Sequence, residues 1–596
     1  MAPASSRLQD HEKEYERSQK NLELARTKAS RRNGYNSDST RDLLRSEFTR
    51  FTGGLAAYTW QIDIAEALLL GLDCSVIAGS GAGKTMSFLM PLFVEREKHV
   101  IIISLTALEE DQAKRFNDMG ISAIAVNKET WTDEIQNHIA NNQYRIIITS
   151  PDMALEHDPF HSFLSNPEFA QNTLSIIINE THRISQWDDR FRPIYQRLGT
   201  LRALVPSEVP FLVTSATMPP PVLFEIRKVL RINPLDSFHI NVGTDRPNIA
   251  WFVHRMKAGK PDLNALEFAL RKDLASSEIT ELIQTMIFFD DVNVSLDALK
   301  HLRACLPPQL QGQIVAYHST RSSNSKRRVL EEFRSGKIKV LLITEPTDVG
   351  CDFPSIRRVI QFMAPSYLAI WLQRAGRAAR NSLICGEAFL LVQPTVFQEK
   401  KSYQSGESDD ADIAVFRKDV EPGLRLWIET SGCRREVTAE YFNDGVTRSE
   451  PTGLCCDNCI RQSNPDHPML QIEQVLPRAQ SSDGECEGSM APVPTRRHEH
   501  LEQARACLTT WRDDTFDLLY SEQPWGPEAL LPSPVLTAIA TKAQLRTVED
   551  LILIAGWEEI FARIHGEEVL DLLSSLDHVH HTAVEQEKLE GAEVIS

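Results

Sequence analysis

The sequence predicts an α/β protein with two consecutive parallel-sheet domains, followed by a small cysteine-bearing helical module and an all-α carboxyl-terminal module. Three observations predict it. Short β-branched runs alternate with helical patterns between Cys74 and Thr214. The same alternation restarts after Asn248. The runs are apolar throughout, as strands covered by helices on both faces must be.

In the first alternation Cys74 to Ala78, Val100 to Ser104, Tyr144 to Thr149, Leu174 to Asn179 and Phe211 to Thr214 read as strands. In the second, Thr285 to Phe289, Ile314 to Tyr317, Lys339 to Ile343, Val359 to Phe362 and Ala388 to Val392 do. Residues 1–45 are polar, with few large apolar side chains, and read as an extension or a frayed helix. The two α/β domains then occupy 46–240 and 241–398, and the charged stretch Glu399 to Asp412 opens a cysteine-bearing module, 399–461. A linker rich in Pro, Ser and Gln, 462–500, leads to a helical module, 501–577, with breaks near Pro524 and Pro532, and an acidic tail, 578–596.

A chain of 596 residues, 42% hydrophobic and 24% charged, has the composition of a soluble multidomain protein. No run approaches the roughly 20 apolar residues of a membrane span, and the start, Met1-Ala2-Pro3-Ala4-Ser5-Ser6, lacks the apolar core of a secretory signal. An intracellular protein without a membrane partner is expected. The net charge of −18 speaks against a polyanionic partner, yet the acid gathers at Glu407 to Asp412 and Glu585 to Glu593 while Arg183 to Arg202 is locally basic. One face can still bind nucleic acid. Ten cysteines are present, four of them between Cys433 and Cys459, a pattern that in a reducing compartment suggests metal before disulfide.

Ala78-Gly79-Ser80-Gly81-Ala82-Gly83-Lys84-Thr85 follows a strand and opens a helix, the context of a phosphate-binding loop. Small residues let backbone amides approach phosphates, Lys84 neutralises the outer ones, and the Thr85 hydroxyl can ligand Mg²⁺. A chance glycine-rich turn is the competing reading. Asn179-Glu180-Thr181-His182 closes a strand about 95 residues on, where a hydrolysing P-loop protein places its second acidic motif. Glu180 can orient and deprotonate water there. Asn179 offers a neutral carbonyl where Mg²⁺ ordinarily feels a carboxylate, which predicts weaker metal binding.

The run from Asn179 through Gln186-Trp187-Asp188-Asp189-Arg190-Phe191-Arg192-Pro193 closely resembles the RecQ helicase sequence in which a DEAH box runs into an aromatic-rich loop. The resemblance implies that Gln186, Trp187, Phe191 and Arg192 couple single-stranded DNA to the ATP site; a buried core aromatic is the alternative for Trp187. It extends from Phe48 to Cys459. Gln61 resembles the adenine-reading Gln, with Tyr58 where an Arg is usual. Ser104 to Gln112 resembles motif Ia, Ser215-Ala216-Thr217 motif III, and Asp245-Arg246-Pro247-Asn248 the junction between motor domains. Tyr317-His318-Ser319 and Thr344, Gly350, Asp352, Pro354 and Arg357 resemble motif V and its surroundings, and Gln373-Arg374-Ala375-Gly376-Arg377-Ala378-Ala379-Arg380 resembles motif VI. In such motors Arg377 and Arg380 would stabilise charge on the γ-phosphate; a solvated basic helix face is the alternative. Cys433-Arg434-Arg435 and Cys455-Cys456-Asp457-Asn458-Cys459 resemble the RecQ zinc module, with Cys455 adjoining Cys456 and so leaving the fourth ligand open. Trp511-Arg512, Leu531-Pro532, Thr547, Gly556 and His565-Gly566 are arranged somewhat like the helical HRDC domain, against an unrelated interaction module. No segment between Cys459 and Leu501 is long enough for a winged helix, so strand separation has less support than translocation.

The resemblance implies two tandem RecA-like domains, a zinc-binding module, and ATP, Mg²⁺ and structural Zn²⁺ as cofactors. It implies single-stranded and forked DNA as partners, a nuclear location, and 3′-to-5′ movement coupled to unwinding in recombination or repair. Catalysis would rest on Lys84, Glu180, Gln373, Arg377 and Arg380. Gln61, Gly79, Ser80, Gly81, Ala82, Gly83, Lys84, Thr85, Asn179 and Asp352 would bind nucleotide and its metal, and Cys433, Cys455, Cys456 and Cys459 the zinc. A hydrolysis-impaired ATP-binding clamp or scaffold is the alternative that Asn179 motivates.

Overall fold

The computed structural model describes residues 4–79, 81–104, 109–179, 181, 194, 196–258, 262–271, 281–318, 321, 323–344, 353, 355–381, 383–399, 416–444, 448–470, 496, 498–520, 527–553 and 555–593. The chain forms two compact units, Met1–Asp262 with Pro346–Gln471, and Leu263–Glu345 with Ile472–Ser596. Among the described residues no helix is long and apolar enough to cross a membrane.

The first unit contains a seven-stranded sheet of β1 (Cys74–Ala78), β2 (His99–Ile103), β3 (Ala123–Val126), β4 (Ile146–Thr149), β5 (Thr173–Asn179), β6 (Phe211–Ser215) and β7 (Phe238–Gly243). Its order is β3-β4-β2-β5-β6-β1-β7, and every pairing is parallel. Successive side chains enter opposite cores. Ile77, Ile101, Ile147, Ile176 and Val213 pack on one face, while Val76, Val100, Ile148, Ile177 and Leu212 pack on the other. That double burial is why the strands read as unbroken apolar runs. The register then fixes the functional edge: Asn179 pairs with Thr214, and Thr214 with Val76, so β5, β6 and β1 end close together. Ligands of open parallel sheets bind outside such carboxyl ends.

Two helices, α1 (Ala4–Asn33) and α2 (Ser37–Phe51), dock where polar composition suggested an extension or frayed helix. Of their few apolar residues, Leu22, Leu44 and Phe48 are buried. α1 also covers the edge strand β7 with polar contacts. Ser18 Oγ accepts from His239 N at 2.9 Å, Asn21 Nδ2 donates to Leu235 O and Ser237 O at 2.8 and 3.0 Å, and Glu14 pairs with Arg227 at 3.1 Å. Third comes α3 (Thr59–Leu69), followed by the short α4 (Lys84–Leu89).

The first unit also holds β8 (Ile249–Arg255), β12 (Arg358–Phe362) and β13 (Gly386–Val392), paired in parallel in the order β12-β13-β8. The second holds β9 (Thr285–Phe288), β10 (Ile314–Tyr317) and β11 (Val340–Ile343), parallel in the order β10-β11-β9. This is the second RecA-like alternation. Helix α5 (Val292–Ala304) lies in the second unit, whereas α6 (Leu368–Ala375) and α7 (Arg434–Tyr441) lie in the first. Trp251 of β8, Trp371 of α6 and Trp427 meet edge to face at 6.0 to 6.1 Å, joining the cysteine module to β8. In the second unit the carboxyl-terminal residues form helices His498–Leu519, Ser533–Thr541, Val548–Leu553 and Glu559–Glu593 around buried Leu508, Leu551 and Trp557.

Candidate nucleotide site and cysteine centre

The loop after β1 must turn sharply to let α4 begin at Lys84, and it does so at Gly81 and Gly83, both at φ 84°. A Cβ on Gly83 would also lie 2.7 Å from Gln61 Nε2. Only glycine fits. The loop is anchored at its start, where Gly79 N donates to Gly243 O at 3.0 Å. Lys84 Nζ donates to Ala78 O at 2.6 Å and to Gly79 O at 3.2 Å, which places the ammonium inside the turn.

Gln61 lies in the first turn of α3 and is buried. Its Oε1 accepts from Tyr58 N at 2.9 Å, and its Nε2 donates to Gly83 O at 3.0 Å. The amide is therefore oriented by the helix start and bonded to the phosphate loop. Beside it is a network that sequence reasoning missed. Glu66, fully buried on α3, accepts from Arg26 at 3.1 and 2.6 Å, from Arg41 at 2.8 Å and from Tyr35 at 3.0 Å, and Arg41 also pairs with Asp63 at 2.8 Å. Burial would raise the Glu66 carboxyl, but Arg26, Ser37 and Arg41 outweigh it and hold it below the usual range. The signal was available: two acids in an otherwise apolar helix, Ile62 to Leu69, demand partners.

At the same sheet edge, half-buried Asn179 ends β5, and Thr181 Oγ1 donates to Thr214 O at 3.3 Å. Ser215 Oγ accepts from Thr217 N at 3.2 Å, which fixes the turn after β6. Arg374 and Arg377 are buried, and Arg374 Nη1 donates to Gln361 Oε1 at 2.6 Å. This is no solvated basic face. Arg246 clamps the turn after α6, donating to Gly376 O, Ala378 O and Ala379 O at 3.0, 3.1 and 2.7 Å, while Asn248 Nδ2 donates to Ala379 O at 2.8 Å. Burial, and then the charge of Arg380, push Arg246 down to about 10. A Cβ on Gly81 would sit 3.7 Å from Arg380 O, so this turn lies against the phosphate loop. A cavity between them is lined by Gly79, Thr217, Asp245, Arg246, Gly376 and Arg435.

The structure thus brings together Gln61, Gly79, Gly81, Gly83, Lys84 and the turn carrying Arg377 and Arg380. Ala82 and half-buried Thr85 lie in the same loop and helix start, and half-buried Gln373 lies on α6. Ser80, Glu180, Gln186, Trp187, Phe191, Arg192 and Asp352 lie outside the described residues.

The sulfurs of Cys433, Cys455, Cys456 and Cys459 lie within 4.8 Å of one another, with 3.7 Å between Cys433 and Cys455 and 3.5 Å between Cys456 and Cys459. A tetrahedron with Zn–S bonds of about 2.3 Å has edges of about 3.8 Å, so the donor set fits zinc and includes all four cysteines. Arg448 donates to Cys433 Sγ at 3.4 Å and Arg435 to Cys455 Sγ at 4.0 Å, which favours thiolates. Bonds from Cys455 and Cys456, with Arg448, hold the Cys433 thiol far below its ordinary value, and the same Cys433 bond pushes the Cys455 thiol up. The module is tied to the junction, since Arg435 forks onto Asp245 at 2.8 and 2.6 Å, and Asp444 Oδ2 accepts from Thr244 N and Oγ1 at 2.8 and 2.7 Å.

Residues 58–226 match the DEAD/DEAH box helicase family and residues 270–382 the helicase conserved C-terminal domain. The ATP-dependent DNA helicase RecQ of Haemophilus influenzae is 25% identical over 449 residues, 74% of this chain and 67% of that protein. RecQ of Pasteurella multocida is 25% identical over 422 residues, 70% of this chain and 62% of that protein. The chain spans about two thirds of the length of these curated relatives. Among solved structures, the DUF1998 helicase MrfA bound to DNA has 19% identity and a TM-score of 0.47, covering 59% of this chain and 51% of that one. Because these relatives are bacterial, the kinship gives the nuclear location expected from the sequence no support. Two helicase domains in order, with RecQ relatives at 25% identity over most of the length, make the chain similar to the RecQ-like helicases of superfamily 2.

Proposed function

We propose that the chain is an ATP-dependent DNA motor that moves 3′ to 5′ on single-stranded DNA, opens forked duplexes in recombination or repair, and hydrolyses ATP slowly. One observation carries the reading. The phosphate loop meets the adenine-side Gln61 at 3.0 Å on one flank and the Arg380 turn on the other, the juxtaposition that ATP-driven closure of such motors requires.

In this reading Gln61 reads adenine and the amides of Gly79 to Thr85 cradle the phosphates. Lys84 exchanges its two carbonyl partners for phosphate oxygens. Mg²⁺, held by Thr85 and the Asn179 and Asp352 side, would screen the β- and γ-phosphates. Glu180 takes the proton of the attacking water, Gln373 helps place that water, and Arg377 and Arg380 stabilise the charge that develops on the γ-phosphate. The loop with Gln186, Trp187, Phe191 and Arg192 would report strand occupancy to Glu180. Zinc on the four cysteines is structural. Asn179 favours the second reading, a DNA clamp that binds ATP without turning it over.

The test is phosphate release with and without a single-stranded oligonucleotide. DNA should stimulate the wild type, and Glu180→Gln should fall by at least about 10²-fold. Wild type and Glu180→Gln both at background would leave the clamp.

A further inference from the structure

The second unit carries a group of metal-binding side chains that neither the nucleotide site nor the four cysteines use. Glu267 comes from the 3-10 segment Leu263–Leu270, His301 from the last turn of α5, and Cys305 is the C-cap of that helix. One donor atom of each lies within 4.8 Å of the other two, and His301 Nε2 is 3.2 Å from Glu267 Oε1. Their four-residue spacing puts His301 and Cys305 on one helical face, and Glu267 approaches that face from a separate segment.

We propose that Glu267, His301 and Cys305 form a second metal site, for a borderline-soft divalent ion of the zinc class. One imidazole nitrogen, one thiolate and one carboxylate oxygen are the donors zinc takes, and three protein ligands with a fourth position open to solvent make a complete set. A tetrahedron with bonds of about 2.0 Å to N and O has edges of about 3.3 Å, close to the 3.2 Å observed between His301 and Glu267. Cys305 is exposed, so its thiol can close the remaining distance without moving packed neighbours. Carboxylate, thiolate and neutral imidazole together balance a dication. An ordinary ion pair accounts for His301 with Glu267, but not for a thiol whose sulfur lies within 4.8 Å of both donors. A cation between them takes all three as ligands, and the Cys305 proton leaves to solvent on binding. Mg²⁺ and Ca²⁺, which want several oxygens, do not suit the set. Once bound, the metal staples the 3-10 segment to α5.

The test is zinc protection of Cys305 from an alkylating reagent in the full-length protein at fixed free zinc, read by peptide mass spectrometry. It does not depend on the four-cysteine centre or on ATP hydrolysis. With a dissociation constant near 1 µM, about 10 µM free zinc should slow labelling of Cys305 about tenfold, because the reactive fraction falls by mass action. Magnesium at a hundredfold excess should give no protection. His301→Ala and Glu267→Ala, at half-exposed positions, should each reduce the protection at least about threefold while melting like the wild type. Unprotected Cys305 in the wild type overturns the proposal, as does protection that survives both substitutions. If a variant fails to fold, the wild-type measurement decides alone.

Discussion

The amino-terminal arm and the cysteine module both grip the phosphate loop, one step removed, and they do so by different physics. The arm holds α3, whose Gln61 bonds Gly83, through the charges that converge on Glu66. The module holds Thr244 and Asp245, which follow Gly243, the acceptor for Gly79 N, through Asp444 and Arg435. One grip is made of buried ion pairs on helices with few apolar residues. The other hangs on four sulfurs and a trio of tryptophans. The first should fail in acid, the second on loss of metal, and either should loosen nucleotide binding without a single ligand residue being changed.

The largest effect is expected on the module. Structural zinc contributes on the order of 10 kcal/mol to the folding of small cysteine units. Cys456→Ser, or prolonged chelation, should therefore unfold residues around Cys433 to Cys459 and raise the KM for ATP while α1 stays docked. Elemental analysis with limited proteolysis checks this: a protein that keeps its protease resistance after losing all zinc would show the module standing on the tryptophans alone.

Next is the rate. Both grips leave the loop well held, so slow turnover should trace to Asn179 and not to a distorted loop. Loss of one preorganised charge-stabilising group costs about 10² to 10³ in rate. Asn179→Asp, nearly isosteric, should raise turnover at least about tenfold at limiting Mg²⁺, with the KM for ATP little changed. Rapid native turnover unaffected by the substitution would mean another residue supplies the metal ligand.

The arm comes third. Glu66 is fully buried and Arg26 about one-fifth exposed, so Arg26→Ala leaves a half-satisfied carboxylate and should cost about 2 to 3 kcal/mol, with Arg26→Lys recovering part of it. The folded Glu66 carboxyl lies below its unfolded value of about 4.3, so its contribution is present above that pH and is lost as pH falls through the lower folded value. Acid should thus release the arm before the sheet, and Arg26→Ala should shift that release to higher pH. Circular dichroism against pH reads it; coincident loss of arm and sheet in both proteins would refute an independently held arm.

The same contrast explains what could be read from the sequence. Strands such as Cys74 to Ala78 and Ile314 to Tyr317 were legible because burial on both faces leaves mostly apolar residues, and the phosphate loop because its geometry is local. β7 was not, because the arm that covers it is polar: His239 faces Glu14 at 3.7 Å, and His11 reaches Asn241 O at 3.0 Å, so the strand alternates. β3 has four residues, two of them half-exposed, and β8 follows directly on the junction. The clamp of Arg246 on Ala378 and the bond of Asp444 to Thr244 join residues 132 and 200 apart, which no local pattern announces. For the cysteines, spacing left the fourth ligand open, and folding brought Cys433 to the other three.

The smallest effect is expected where the module touches the segment after β7. Burial pushes the Asp444 carboxyl up to about 6, against the opposing bonds from Thr244. That value lies above the unfolded one of about 3.9, so the folded state binds the proton more tightly. The contribution is fully present below about pH 4 and is lost as pH rises through 6, and above that the buried charge costs about 2 to 3 kcal/mol. Asp444→Asn keeps an oxygen for Thr244 and removes the charge. The amide gives up the charge-assisted part of two hydrogen bonds, so the net gain should be about 1 to 2 kcal/mol at pH 8 and about zero at pH 4. Urea denaturation at the two pH values measures it. A variant shifted equally at both would mean that Asp444 grips the junction by shape alone, leaving the Arg435–Asp245 pair as the module's charged hold on it.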